Sequence, residues 1–250
     1  MNLFDLSGKT ALITGAASGL GQGIAAAFAE AGADIVCASL GSSQDTIDRV
    51  TGLGRKGLGI EVDLSDHSVL QETFDKALEL TGHIDILVNN AGIIRRTPAK
   101  DHSAKDWFDV IDINLNTVFL LSQIAGRHML ERGSGKIINI CSMLSYQGGI
   151  NVPGYTASKH GVAGLTRAFA NEWAAGGIQV NAIAPGYMAT DNTAPIRADE
   201  NRTASITDRI PAGRWGTADD MKGPAIFLAS SAADYLNGHI LCVDGGWMAR

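Results

Sequence analysis

Two stretches of this 250-residue chain carry groups that could do chemistry. The first is Thr14-Gly15-Ala16-Ala17-Ser18-Gly19-Leu20-Gly21. Glycines permit a tight turn and let a ligand approach the backbone. A helix that begins inside such a turn offers free N–H groups and positive dipole potential to a phosphate. The spacing is Gly-x3-Gly-x-Gly, which differs from the better-known GxGxxG of dinucleotide sites. The second stretch is Tyr155-Thr156-Ala157-Ser158-Lys159. On a helix, residues i and i+4 share one face, which sets a phenol beside an ammonium. Ser142 ends an apolar run thirteen residues before Tyr155. Each feature alone has a plain reading: a glycine-rich turn, a pair of surface neighbours, a turn serine. Together they set three proton-bearing side chains beside a phosphate cradle, and that combination is far more specific.

The elements that must position these groups follow the hydrophobic rhythm. Strand signals at residues 9–14, 34–39, 57–62, 84–88, 136–141, 178–183 and 239–243 alternate with helical patterns at 20–31, 65–80, 107–129, 155–175 and 219–230. Short apolar runs without polar alternation read as parallel strands covered on both faces. The alternation predicts an α/β, single-domain Rossmann fold over residues 1–250, a doubly wound parallel sheet of about seven strands flanked by helices on both faces. The glycine motif falls between the first strand and the first helix, where phosphate binding needs it. Residues 187–209 break the rhythm, hold Arg197, Arg202 and Arg209, and read as an irregular stretch. Long loops in compact domains are commonly lids, and a substrate lid is expected at about 187–215.

A net charge of −6 without basic clusters argues against a nucleic-acid or membrane-surface partner. The longest unbroken apolar run, residues 24–29, is far below the ~18 residues of a membrane helix. The N-terminal stretch shows no signal-peptide apolar core. Cys37, Cys141 and Cys242 are odd in number and lack metal-ligand spacing. Each lies in an apolar run, so each is expected to be a small buried hydrophobe in a reducing compartment. A soluble cytoplasmic protein without a metal site is expected.

The end of the second strand reports on the cofactor. An acidic side chain there holds ribose hydroxyls, whereas a nearby Arg accepts a 2′-phosphate. This chain reads Cys37-Ala38-Ser39-Leu40-Gly41-Ser42-Ser43, with neither. No Lys or Arg occurs between Lys9 and Arg49, which disfavours NADP, and the missing acid weakens the case for NAD. The balance falls on NAD, with NADP left open.

The whole chain resembles the classical short-chain dehydrogenase/reductase family. The resemblance rests on Gly15, Ser18, Gly19, Leu20 and Gly21, on Asp63-Leu64, on Asn89-Asn90-Ala91-Gly92, on Asn114, on Ser142 with Tyr155 and Lys159, and on Pro185-Gly186 with Thr190. It implies that Tyr155 is the general acid/base. Lys159 then binds the nicotinamide ribose and lowers the Tyr155 pKa, and Ser142 holds the substrate oxygen. Asn114 keeps a helix kinked to support a relay water. Asp63 contacts adenine, Asn89 lies beside the cofactor, and Thr190 with the backbone near Met188 meets the nicotinamide amide. The chemistry agrees with those roles. A free phenol has a pKa of about 10, and moving it down ~3 units takes ~4 kcal/mol of preferential phenolate stabilisation. One ammonium and a positive nicotinamide could supply that in a partly dry site.

Residues 92–96, 142–149, 184–190, 209–216 and the tail 243–250 resemble more particularly the bacterial 2-deoxy-D-gluconate 3-dehydrogenase group, whose members are also named 2-dehydro-3-deoxy-D-gluconate 5-dehydrogenases. The resemblance implies a keto-sugar-acid substrate and a homotetramer built on helices 107–129 and 155–175. Trp173 and Phe169 are interface or core residues, and the apolar tail Trp247-Met248-Ala249-Arg250 is expected to dock, on this chain or on a neighbour. A carboxylate suits a bidentate Arg. Arg202 is the first choice, then Arg95 or Arg96, with Gln147 and Tyr187 as further pocket residues. A 3-oxoacyl-carrier or polyol reductase of the same fold is the alternative. A nucleotide-binding sensor without catalysis ranks last, because Ser142, Tyr155 and Lys159 are all present.

Overall fold

Aliphatic runs pair side by side when helices can cover both of their faces. The computed structural model describes residues 3–250. In it the runs form one parallel sheet of β1 (Thr10–Thr14), β2 (Asp34–Ser39), β3 (Gly57–Glu61), β4 (Ile86–Asn89), β5 (Gly135–Ile140), β6 (Ile178–Pro185) and β7 (Ile240–Val243). The order is β3-β2-β1-β4-β5-β6-β7, with Ala11 opposite both Ile35 of β2 and Ile86 of β4. The chain reverses its direction of winding between β1 and β4, which opens a crevice at the carboxyl ends of the strands. The loops after β1, β4, β5 and β6 converge there.

Side chains alternate along each strand, so successive residues feed two separate cores. Ala11 and Ile13 pack with Ile24 and Phe28 of α1 (Gly19–Glu30), Val50 of α2 (Gln44–Gly52) and Leu228 of α9 (Lys222–Ala229). Leu12 and Leu87 face Phe74 of α3 (Leu70–Leu78), Leu121 and Met129 of α5 (Thr117–Arg132), and Phe169 of α6 (Pro153–Trp173). On the face covered by α5 and α6 the sheet also carries a polar seam. Asn89 donates to Asn139 Oδ1 and Ser122 Oγ, and Asn139 donates to Thr166 Oγ1.

Several boundaries differ from the sequence reading. α2 was not foreseen, because QDTIDRVTG is polar and buries only Thr46 and Val50. The helical pattern at 107–129 is α4 (Ala104–Ile111) and α5 joined by a π-helical turn over Asp112–Asn116. The segment expected to be irregular carries α7 (Ala194–Arg197) and α8 (Glu200–Arg209), with Asp199 capping α8 through the Arg202 N–H. Its polarity hid it, since only Ile206 of α8 is buried. Cys37 and Cys141 are buried, but Cys242 is exposed because β7 is an edge strand. Among the described residues, one helical run, Ala104–Arg132, is long and apolar enough to cross a membrane by length and composition. Its inner face is the covering of the sheet described above.

Candidate active site

The loop after β1 is held from two sides. Gly15 N–H donates to Ala38 O at 2.8 Å, which keeps it beside β2. Thr14 Oγ1 accepts from the N–H groups of Asn90 and Ala91, and Asn90 Nδ2 donates back to Thr14 O and Gly15 O. Gly15 and Gly19 take φ of +64° and +58°, a region side chains rarely enter. A Cβ on Gly15 would lie 2.9 Å from Ala91 Cα. Ser18 starts α1 with an extended backbone, makes no side-chain cap, and no acid follows in the first turn. The first N–H groups of α1 are therefore open to an anion. A glycine-lined cradle at a helix N-terminus, free of carboxylates, fits the pyrophosphate of a nicotinamide dinucleotide.

On the opposite wall, Ser142 begins a 3-10 turn (Met143–Ser145) as β5 ends, and its Oγ accepts from Leu144 N–H at 3.1 Å. Ser145 Oγ donates to Lys159 O, tying that turn to α6. Pro153 opens α6, so Tyr155 and Lys159 lie in its first two turns on one face. Lys159 is 4% exposed, donates from Nζ to Ile140 O, and stands 5.5 Å from the centre of the Tyr155 ring. Burial lowers its pKa to about 8, so it still carries its charge at neutral pH. Burial also raises the Tyr155 phenol, against the pull of the Ser142 hydroxyl. The ammonium is turned to Ile140 O, and desolvation prevails.

Asn114 is fully buried in the π turn, where its carboxamide bonds both the N–H and the carbonyl of Ile93 and donates to Ser158 Oγ at 3.3 Å. The turn thus braces the loop after β4 against the helix that carries Tyr155.

A cavity of about 330 Å³ separates the two walls. Gly15, Ser18, Gly19 and Leu20 line one side, with Ala91 and Gly92. Ser142, Tyr155 and Lys159 line the other, and Pro185, Gly186, Met188 and Thr190 close the end. Asn90 also lines it; the sequence placed it in the Asn89–Gly92 motif without a role of its own, because its bonds to the β1 loop exist only once β1 and β4 are neighbours. The other expected cofactor residues lie off this cavity. Asn89 belongs to the polar seam of the sheet. Gly21 is a packing position, since a Cβ there would meet Gly15 O at 2.4 Å and Asn90 Nδ2 at 2.5 Å. Asp63 accepts from the N–H and hydroxyl of Ser65, and Leu64 is buried with its carbonyl bonded by Thr117. Ser39 Oγ is buried at the end of β2 with no partner among the described residues.

A second cavity of about 480 Å³ shares Ser142, Tyr155 and Gly186 with the first. Gln147 and Tyr187 line it, and so do three guanidinium-bearing residues, Arg96, Arg202 and Arg209. Arg95, expected in this pocket, does not line it: it turns away to Asp106 and Asp109, at 3.4 and 3.7 Å, because α4 presents both carboxylates to it. Arg214 is likewise consumed, by a two-pronged pair with Asp220. Trp247 was expected to dock somewhere; it docks on its own chain, 5% exposed, as part of this cavity's wall.

Comparison with known proteins follows the same lines. A family model described as enoyl-(acyl carrier protein) reductase matches residues 15–248. The 2-dehydro-3-deoxy-D-gluconate 5-dehydrogenase of Bacillus subtilis is 59% identical over 99% of this chain and 97% of its own. An Agrobacterium tumefaciens crystal structure with bound NADP, provisionally assigned as a 2-deoxy-D-gluconate 3-dehydrogenase, is 51% identical over 100% of both chains, with a TM-score of 0.95. A Burkholderia cenocepacia gluconate 5-dehydrogenase in complex with NADP and tartrate is 40% identical over 99% of this chain and 98% of that one, with a TM-score of 0.94. With its Rossmann sheet, its glycine cradle and these full-length likenesses, the chain belongs to the short-chain dehydrogenase/reductase family of NAD(P)-dependent oxidoreductases.

Proposed function

We propose that the chain interconverts a secondary alcohol and a ketone on a sugar acid, in the manner of a 2-dehydro-3-deoxy-D-gluconate 5-dehydrogenase. One observation carries the reading: the cavity that meets Ser142 and Tyr155 is also lined by Arg96, Arg202 and Arg209 against a single carboxylate, Asp199, so a proton-transfer site opens onto a pocket with an excess of positive charge. The relatives named for sugar acids, and the neighbour holding tartrate, support a carboxylate in that pocket.

Tyr155 is the general acid/base. A phenol held above its ordinary pKa stays protonated at neutral pH and is ready to protonate the oxygen of a ketone. Ser142 orients that oxygen, and Lys159 supplies a fixed positive charge beside the ring. Asn114 braces the loop and helix between which substrate and cofactor meet. When bound, the nicotinamide supplies the hydride. Residues at about 187–215, with α7 and α8, act as the lid. NAD is the expected partner and NADP is accepted, since no acidic side chain at Ser39, Ser42 or Ser43 repels a 2′-phosphate. A cytoplasmic homotetramer belongs to the same reading. The Phe119, Phe169 and Trp173 rings stack along α5 and α6, and Phe119 leaves an apolar edge exposed there.

The test is an initial-rate assay that follows nicotinamide absorbance with 2-dehydro-3-deoxy-D-gluconate, D-gluconate and sorbitol, with each cofactor. Turnover of an acid is the expected result. Turnover of the neutral polyol alone would remove the substrate reading and keep the Ser142–Tyr155–Lys159 chemistry.

A further inference from the structure

We infer that Arg209, set over the Trp247 ring, is the anchor for the substrate carboxylate, and that the C-terminal turn of the chain is the device that positions it. The inference rests on the sugar-acid reading and names the group that would enforce it.

Three guanidinium-bearing residues line the substrate cavity, and they are not equivalent. All three are exposed, and Arg202 has no ion pair and no stacking partner among the described residues. Arg96 spends one N–H on Asn192 O at 2.9 Å. The Arg209 guanidinium lies 3.9 Å over the Trp247 ring, with no carboxylate paired to it among the described residues. Stacking restrains the plane of a guanidinium while leaving its edge donors free. A restrained fork has less entropy to lose when it takes a carboxylate.

Trp247 is itself fixed. Its Nε1–H donates to Gln147 Oε1 at 3.4 Å, in the loop that follows Ser142. Tyr187 packs edge-on against it at 4.9 Å and against Trp215 at 5.2 Å. The surrounding tail is bolted to the end of α8. Ala212 N–H donates to Gly245 O, and Arg250 donates to Asp208 O. Asp244 accepts from the N–H groups of Gly246 and Met248, which fixes the turn that carries Trp247. A Cβ on Gly245 or Gly246 would meet Ile210 or Pro211 at 2.8 and 3.0 Å, so the contact leaves no room to slide. One aromatic ring thus joins the loop of Ser142, the lid helix and the chain terminus, and Arg209 is the charge it holds at the cavity.

The test titrates D-gluconate and sorbitol calorimetrically into the protein saturated with reduced cofactor. These six-carbon polyols differ at C1, carboxylate against hydroxymethyl. Kinetic constants are measured alongside for the sugar acid. Arg209→Gln is expected to weaken gluconate about ten- to a hundredfold, the range for one charged hydrogen-bonded pair, and to leave sorbitol unchanged. Arg209→Lys keeps the charge and is expected to recover only part of the loss. Trp247→Leu is expected to raise KM for the acid more than it lowers kcat, with Trp247→Phe restoring most of it. Equal weakening of gluconate and sorbitol in Arg209→Gln, or no weakening of either, overturns the inference. Loss of gluconate binding in Arg202→Ala but not in Arg209→Gln moves the anchor to Arg202 and overturns it as well. If the unaltered protein neither binds gluconate nor turns over 2-dehydro-3-deoxy-D-gluconate, the sugar-acid reading itself fails, a result visible before any variant is made; if it turns over only the latter, the KM of that acid in Arg209→Gln and Arg202→Ala decides in place of gluconate binding.

Discussion

The side chain of Asn114 closes on both ends of one residue: its Oδ1 accepts from Ile93 N–H at 2.9 Å, and its Nδ2 donates to Ile93 O at 3.0 Å. Ile93 lies in the loop after β4, and Asn114 lies in the π turn between α4 and α5. That turn is where one extra residue per turn lets a side chain leave the regular helical ladder. The pair therefore binds the cofactor-facing loop to the helical layer behind it.

Replacing Asn114 by Ala would strand the backbone donor and acceptor of Ile93. Leaving a buried polar group unmade costs about 1–3 kcal/mol. Ile93 is only part-buried, so Asn114→Ala is expected to lose about 1–2 kcal/mol of stability by denaturant titration, the lower end of that range. A loss below about 0.5 kcal/mol would mean that water or a shifted loop takes over both bonds.

The glycines divide by a local measurement. A Cβ on Gly21 would lie 2.4 Å from Gly15 O, and the neighbouring group is backbone that cannot swing aside. At Gly41 nothing lies within 4 Å. Gly21→Ala is expected to displace the loop after β1 and weaken NAD(P) binding at least tenfold, whereas Gly41→Ala is expected to bind like the parent. Fluorescence titration with reduced cofactor reads both. Normal affinity in Gly21→Ala would show that the loop is looser than its hydrogen bonds suggest.

The contrast between these glycines also marks what the sequence could and could not say. The central strands, α1 and α6 were legible because their apolar spacing is dictated by burial, β3 and β7 by their place in the alternation with helices, and Gly15 and Gly19 because a turn into a helix needs them. Ser142, Tyr155 and Lys159 were legible as a set through spacing and family likeness. What escaped depends on contacts between distant segments. The Asn90 carboxamide meets Gly15 O only across β1 and β4. Arg95 and Arg96 are adjacent in sequence, yet α4 captures the first and the cavity receives the second. α8 hides because a helix that lies on the surface and buries only Ile206 has almost no apolar stripe to read.

Tyr155→Phe removes the proton and keeps the ring. It is expected to lower kcat by at least a thousandfold while changing cofactor affinity less than threefold, measured by steady-state rates and by fluorescence titration. Because burial holds the phenol above its usual pKa, ketone reduction by the parent is expected to be flat through neutral pH. Alcohol oxidation, which needs the phenolate, is expected to rise with pH. An oxidation rate independent of pH between 6 and 9 would remove Tyr155 from the proton step.

Lys159 ties catalysis to stability through its burial. Its pKa in the folded protein is about 8, below the ordinary 10.5. Between those values the unfolded chain binds more protons than the folded one, so stability rises with pH across that window. Below pH 8 the penalty for keeping the buried charge is constant, at about 3 kcal/mol from a shift of that size. Lys159→Met removes the charge and also the charged hydrogen bond to Ile140 O, worth about 1.5–3 kcal/mol. At pH 7 the variant is therefore expected to be more stable than the parent by at most about 1.5 kcal/mol. The difference should close as pH rises from 8 towards 10.5, when the parent sheds its proton. Urea titrations of both proteins at pH 7, 8.5 and 10 measure the gap. A gap that stays constant, or a variant less stable at pH 7, would mean that the ammonium is compensated by its surroundings and that the site stores no such cost.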